Sequence, residues 1–109
     1  MTQEPTSRRM EAPQLNGRQR KALRALAHNL EPVVQVGQGG ISDGVVRAID
    51  AALLSHELIK VRLHQPADKK AAAQELADTA GAALCGLVGH TVILYRPHPE
   101  EPRLQLARS

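Results

Sequence analysis

Three closely spaced glycines are the residues of this sequence whose type and spacing are best suited to binding chemistry: Gly37, Gly39 and Gly40. Glycine lets the backbone adopt positive φ and approach another molecule closely, because no Cβ intervenes. Ser42 follows as a favourable N-cap, and Asp43 complements the positive end of the helix dipole. Free N–H groups and this dipole point the same way, so the pattern predicts a loop that can bind a phosphate group.

The residues in and after the glycine loop exclude two familiar phosphate-binding motifs. A Walker A loop needs Lys-Ser or Lys-Thr after the glycines, and the dinucleotide-binding fingerprint needs a third glycine at another offset. The GxxG form of Gly37-Gln38-Gly39-Gly40 is instead typical of loops that clamp single-stranded nucleic acid in KH-type modules. A turn that merely connects a strand to a helix explains the same glycines, so the loop alone leaves both interpretations open.

A row of cations on the first predicted helix is a second candidate binding feature. The basic residues are Arg18, Arg20, Lys21, Arg24 and His28. No acidic residue interrupts residues 17–29, although like charges one helical turn apart repel each other. A face of one sign therefore favours an anionic partner over a merely solvated helix.

Two further cations lie on the second predicted strand. Lys60 and Arg62 alternate with Ile59, Val61 and Leu63, and this alternation predicts a strand with one core face and one cationic face. Such alternation is also the ordinary pattern of a half-exposed strand. Lys60 and Arg62 therefore support an anion-binding surface without establishing it.

Composition restricts how such a surface can work. The chain has 109 residues, enough for one domain, and contains one Tyr but no Trp or Phe. We therefore expect a core of Val, Ile, Leu and Ala, and little recognition by base stacking, since Tyr95 is the only aromatic candidate. The net charge of +3 and the pI near 9.5 come mostly from arginine, which suits bidentate phosphate contacts and permits nucleic-acid binding.

Cysteine and histidine usage points away from metal and redox chemistry. Cys85 is the only cysteine, so an intramolecular disulfide and a cysteine-built zinc site are excluded. Its apolar strand predicts a buried, inert thiol. The histidines show no metal-ligand spacing, so we expect no metal and no cofactor. No membrane span or signal-peptide segment is apparent, and we expect a soluble, cytoplasmic protein.

Hydrophobic periodicity predicts an α/β fold with the order helix, strand, helix, strand, helix, strand, strand. Predicted helices span about residues 16–30, 43–56 and 68–80, and predicted strands span 33–36, 57–63, 82–88 and 91–95. Two crossover helices make the first three strands mainly parallel, and a hairpin sets the fourth antiparallel to the third. The result is a mixed four-stranded sheet packed with helices, whose strand order the pattern leaves open.

The predicted core face of the first helix consists of Leu23, Leu26, Ala27 and Leu30. The chain ends are predicted to lie outside the domain. Residues 1–14 lack periodicity and are predicted to form a disordered arm, while Pro97, Pro99 and Pro102 predict an irregular, proline-rich tail over residues 98–109.

Four sequence blocks closely resemble the YhbY-like, CRM-domain family, whose acronym stands for chloroplast RNA splicing and ribosome maturation. They span residues 15–23, 33–45, 56–61 and 89–96, in the family's order and spacing. The resemblance covers about residues 15–97, taken as one CRM domain. It implies a fold similar to the C-terminal domain of bacterial translation initiation factor three.

The resemblance also implies a site and a partner. Family members bind structured RNA through the GxxG loop and neighbouring basic surface, which correspond here to Gly37, Gln38, Gly39, Gly40, Arg18, Arg20, Lys21, Arg24, Lys60 and Arg62. Many members carry a cation inside the loop where this chain has Gln38, so this loop supplies less charge. Small bacterial members are associated with large-subunit precursors, which implies ribosomal RNA as the partner.

The leading hypothesis is a monomeric, non-enzymatic RNA-binding protein of ribosome assembly. The alternative is a protein-interaction module that docks an acidic partner through the basic face of helix one. An enzyme is disfavoured because no carboxylate pair, Ser/His/Asp set or metal cluster converges on the loop. Asp43 is the only adjacent acid, and its place at a helix start explains it.

Overall fold

The computed structural model describes residues 12–37, 39–64, 66 and 68–104. Its elements are α1 (Gly17–Ala27), β1 (Pro32–Val36), α2 (Asp43–His56), β2 (Leu58–Leu63), α3 (Lys69–Ala80), β3 (Ala83–Val88) and β4 (Thr91–Tyr95). The predicted α/β order is confirmed. Most of the predicted disordered arm, the loop residue Gln38 and the last five residues of the predicted tail lie outside the described residues.

Helix boundaries follow from local capping residues. The Asn16 side chain accepts the Gln19 N–H at 2.8 Å, and the Gln19 side chain accepts the Asn16 N–H at 3.0 Å, which forms a capping box. The side chains of Ser42 and Asp68 each accept the N–H three residues on, at 3.2 and 3.1 Å. Helix α3 ends at Gly81, whose φ of 63° is left-handed, as a C-terminal glycine allows.

The strand order of the sheet is β1-β2-β4-β3. Strand β1 is parallel to β2, and β4 is antiparallel to both β2 and β3. The first three strands therefore share one direction, as predicted, while β4 lies between β2 and β3. One end of the sheet carries the loop after β1, the end of β2 and the β3–β4 turn. There the His64 N–H donates to the Val36 carbonyl at 2.9 Å, and the Leu63 N–H donates to the His90 carbonyl at 2.7 Å.

The two faces of the sheet support separate cores. Helices α2 and α3 cover one face, where the buried residues include Val36, Ile49, Leu53, Val61, Leu76, Val92 and Leu94. Helix α1 packs on the other face, where its Leu23 and Ala27 form a second buried cluster with Leu58, Cys85, Ile93 and Tyr95 of the sheet. This single short helix covers only part of its face, and the exposed Gln35, Arg62 and Val88 lie beyond it.

Two residues of the predicted core face of α1 are exposed. Leu26 is 52% exposed and Leu30 is 39% exposed, so their assignment to the core was wrong. The helix rests on the sheet through a narrow stripe, Leu23 and Ala27, which are one turn apart. Leu30 follows the end of the helix at Ala27, so helical periodicity no longer sets its direction.

Glu57 joins α2 to β2 and attaches the following tail to the domain. It was predicted to begin the second strand but adopts a left-handed φ of 65° before it. Its buried carboxylate accepts the N–H groups of His98 at 2.7 Å, Leu104 at 2.9 Å and Arg103 at 3.0 Å. Burial raises the pKa of Glu57, but these hydrogen bonds and the Arg103 charge outweigh it and lower the pKa overall.

Arg96 connects α2 and α3, on the face of the sheet opposite α1. Its buried guanidinium donates to the Ala80 carbonyl at 2.8 Å and pairs with the Asp50 carboxylate at 2.8 Å. A buried cation is tolerated when its donors are satisfied in this way. Arg96 is thus an internal clamp between α2 and α3.

Candidate functional site

The glycine loop follows the carboxyl end of β1. The Gly40 N–H donates to the Gly37 carbonyl at 3.0 Å and closes the turn. Gly40 has a φ of 78°, a conformation that side chains disfavour. The glycine at position 40 is therefore explained by the backbone alone.

The folded domain does not explain the other two glycines of the loop. A Cβ on Gly37 or on Gly39 would meet no other atom within 4 Å, and both residues are exposed. Internal packing therefore does not require a bare backbone at either position. Their lack of side chains leaves the outer surface of the loop accessible to a partner.

A groove between α1 and the uncovered part of the sheet collects four of the predicted cations. We call it the basic groove; its charged walls are Lys21, Arg24, Lys60 and Arg62, with His28 beside them. Its volume is about 940 Å³, and Glu31 is the only acidic residue that lines it within the described ranges. The net positive lining makes the groove complementary to an anion.

Sheet register places the basic groove next to the glycine loop. Lys60 and Arg62 point to the face that α1 occupies, because they alternate with core residues on β2. Arg62 pairs with Gln35 on the neighbouring strand β1. Gln35 precedes Gly37 by two residues, about 7 Å along an extended strand. The glycine loop therefore begins near the Arg62 end of the groove.

Three of the predicted site cations also stabilise the fold. The Arg24 Nη1 donates to the Cys85 carbonyl at 2.9 Å, and the Arg20 Nη1 donates to the Leu15 carbonyl at 2.6 Å. The Lys60 Nζ donates to the carbonyls of Leu30 at 3.0 Å and His28 at 3.3 Å, at the end of α1. A cation is favourable at this negative end of the helix.

These cations keep donors for a second partner, since a guanidinium has five N–H donors and an ammonium three. By contrast, Arg18, Lys21 and Arg62 are exposed and make no hydrogen bond or ion pair with another residue of the described chain. Their charges are available to an external anion.

Cys85 is buried, as predicted, and the structure places it under α1 in the second core. Burial raises the pKa of its thiol to about 11, although the charges of Arg24 and Arg20 act in the opposite direction. A protonated thiol is a poor nucleophile.

Within the described residues, no cluster of three or more His, Cys, Asp or Glu could hold a metal ion. None of the helices there has the length and apolar character to cross a membrane.

Sequence patterns did not identify the floor of the basic groove. Val88, Thr91 and Ile93 form it, from the two strands of the hairpin. Val88 is 63% exposed, the largest value among the exposed large hydrophobic residues of the described chain. The sequence signals were alternation along each strand and the predicted hairpin, and these do not show that α1 leaves Val88 uncovered.

The fold and the site define a small α/β domain with a cationic groove beside a glycine loop. The sequence pattern of the CRS1/YhbY (CRM) domain family matches residues 15–96. The chain therefore belongs to this family. This result confirms the family resemblance seen in the sequence.

Individual relatives agree with this assignment. The chain is 37% identical over 94 residues to the Probable RNA-binding protein YqeI of Bacillus subtilis, covering 84% of this chain and 98% of that protein. It is 40% identical over 97 residues to an RNA-binding protein of Haemophilus influenzae, covering 86% and 96%. The solution structure of SAV1595 from Staphylococcus aureus matches with a TM-score of 0.75 at 35% identity, covering 86% of this chain and all of that one.

Proposed function

We propose that this protein is a non-enzymatic RNA-binding protein whose glycine loop and basic groove contact the RNA backbone. The observation that carries the proposal is the convergence of Lys21, Arg24, Lys60 and Arg62 on one groove beside the loop. The names of its relatives, which describe RNA-binding proteins, support the same function.

The chemistry of the surface suits a phosphate backbone. Arginine and lysine gain affinity by displacing counterions from RNA, while the bare loop permits close approach of backbone to backbone. We assign RNA contact to the residues Gly37, Gln38, Gly39, Gly40, Arg18, Arg20, Lys21, Arg24, Lys60 and Arg62. The groove and loop bind without covalent chemistry.

We infer further that the RNA is ribosomal RNA in precursors of the large ribosomal subunit, bound by a monomer of this protein in the cytoplasm. Support comes from the family resemblance, since small bacterial CRM proteins are associated with such precursors. The charges of Arg18, Lys21 and Arg62, which have no partner among the described residues, suit a highly charged, structured RNA.

Crosslinking in cells, followed by sequencing of the bound RNA, tests both levels of the proposal. We expect large-subunit ribosomal RNA from immature particles, and a Lys21→Gln/Arg62→Gln variant that recovers much less of it. Arg47→Gln removes a cation from α2 on the opposite side of the sheet, and we expect it to recover as much RNA as the wild type. Recovery of other RNAs would contradict the ribosomal assignment, and equal recovery by all variants would contradict the site.

The alternative, an acidic protein docked on the basic face of α1, also predicts salt-sensitive binding. Competition separates the two, because binding to RNA should persist in an excess of acidic protein. Loss of RNA binding under that competition would favour the protein partner.

A further inference from the structure

The basic groove has two chemically different parts. Its walls carry the four cations, whereas its floor is mostly apolar: the exposed Val88 side chain, the half-buried, methyl-bearing Thr91 and the buried Ile93. These three residues face the α1 side because Val88 pairs with Thr91 across the hairpin and Ile93 is two residues further on. A phosphate backbone alone would use the walls and leave the floor without a partner.

Gly86 determines where the Arg24 side chain lies. Gly86 pairs with Ile93 on the same face of the hairpin, and a Cβ on Gly86 would come within 2.7 Å of the Arg24 Cδ. The missing side chain lets Arg24 lie directly on β3, where its Nη1 is held by the Cys85 carbonyl at 2.9 Å. The guanidinium is thus oriented on the strand that also carries Val88.

A nucleotide has the same two parts, an apolar base face and an anionic phosphate. Unpaired bases in RNA can leave their stack and lie on apolar side chains or on the plane of an arginine. A paired base in an A-form helix cannot reach such a floor, because it remains stacked inside the duplex. The volume of about 940 Å³ lies in the range of pockets that hold small ligands.

We propose that the basic groove binds an unpaired nucleotide, with its base on Val88 and the Arg24 guanidinium and its phosphate on Lys21 and Arg62. This inference rests on the proposed RNA binding and names the class of RNA: a loop, bulge or single strand. In the absence of Trp and Phe, the aliphatic floor and the oriented arginine take the place of an aromatic platform.

Binding to two matched RNA hairpins tests the inference. They share length and stem sequence, but one carries an unpaired nucleotide in the stem and the other is fully paired there. We expect the wild-type protein to bind the first about tenfold more tightly, in the range of one base-stacking contact. Replacing the unpaired nucleotide with an abasic one should remove most of that difference.

Val88→Ser is the variant that isolates the floor. The side chain is largely exposed, so folding should be retained, and no charge changes, so the salt dependence should stay the same. We expect it to lose most of the preference for the unpaired nucleotide. Val33→Ser is the matched control, since Val33 is 51% exposed and lines a different groove on the other side of α1.

The outcomes separate this inference from the function on which it rests. If the wild-type protein binds neither hairpin, nor a single-stranded RNA of the same length, the proposed RNA binding itself fails. If it binds both hairpins equally, or if Val88→Ser behaves like Val33→Ser, RNA binding stands and the nucleotide pocket is overturned.

Discussion

Arg24 and Cys85, which lie 61 positions apart in the chain, are joined by a 2.9 Å hydrogen bond from the arginine Nη1 to the cysteine carbonyl oxygen. This bond ties α1 to β3, the strand furthest from the glycine loop in the sheet order. Arg24 therefore serves the fold and lines the basic groove at once. Some substitutions of the groove cations should therefore weaken RNA binding alone, and others should also lower the stability of the fold.

The double substitution Lys21→Gln/Arg62→Gln should weaken RNA binding without lowering the melting temperature, because neither side chain has a partner in the described chain. The log–log salt slope should flatten by about 0.7 per lost contact on single strands, or about 0.9 on duplex-like RNA. Titrations at several salt concentrations measure the slope, and Arg47→Gln gives the change that the loss of one charge outside the site produces. An unchanged slope would show that these cations do not contact phosphate.

Arg24→Gln should weaken binding and also reduce the free energy of unfolding by about 1 kcal/mol, the usual net value of a hydrogen bond. Urea denaturation of Arg24→Gln and Lys21→Gln measures the difference in stability. Equal stability of the two variants would show that the bond to Cys85 contributes little to the fold.

Substitutions in the loop should divide its glycines by role. Gly39→Asp should reduce RNA binding with little change in melting temperature, since the position is open and the new charge would repel phosphate. Gly40→Ala should cost roughly 1–2 kcal/mol of stability, because its φ of 78° is strained for alanine.

Ala51→Asp is the control for Gly39→Asp, because it adds the same negative charge at an exposed position of α2 outside the site. Melting and binding are measured on the same preparations. If Gly39→Asp unfolds the protein while the folded fraction binds RNA normally, the glycine serves only the turn.

Gln38→Lys should strengthen RNA binding by about 1 kcal/mol and steepen the salt dependence by one contact, since it adds one cation that can contact phosphate. Binding measured across salt concentrations gives both quantities. Gln14→Lys adds the same charge at an exposed position before α1, and an equal gain from that variant would attribute the effect to net charge alone.

The Glu57 carboxylate should make stability depend on pH. Its pKa is lower in the folded protein than in the unfolded chain, so it stabilises the fold above its unfolded pKa of about 4.5, and this contribution is lost as pH falls through the lower folded value. Glu57→Gln should cost about 2 kcal/mol near neutral pH, because three backbone N–H groups lose a charged acceptor. It should also flatten the acid dependence.

Urea denaturation between about pH 7 and pH 3 measures both effects of Glu57→Gln. Glu75→Gln removes an exposed carboxylate of α3 that accepts none of these hydrogen bonds. A similar acid dependence in wild type and Glu57→Gln would show that the attachment of the tail does not depend on this charge.

Cys85→Ala should leave RNA binding intact and lower the free energy of unfolding by about 1 kcal/mol, as is usual for a small change in a core. Because its pKa is raised to about 11, the native thiol should resist alkylation near neutral pH and react only after unfolding. Alkylation followed by mass spectrometry measures this. Rapid modification of the native protein, or a large binding defect in a folded variant, would be inconsistent with an inert core cysteine.

Local features of the chain were predictable because each depends on residues a few positions apart. Asn16, Ser42 and Gly81 mark helix ends through hydrogen bonds and backbone angles within one turn. The alternation along β2 assigned its core face and its cationic face correctly. Hydrophobic periodicity predicted the order of the helices and strands, and the family resemblance implied a known fold with that order.

Only the tertiary structure decided the features that depend on contacts between distant parts of the chain. The insertion of β4 between β2 and β3, the exposure of Leu26 and the attachment of the tail to Glu57 all depend on pairings between distant segments. Side-chain period and propensity do not encode such pairings. The same limit explains why the residue patterns treated the cations of α1 and β2 separately and the family resemblance grouped them without a geometry, whereas the fold placed four of them around Val88 in one groove.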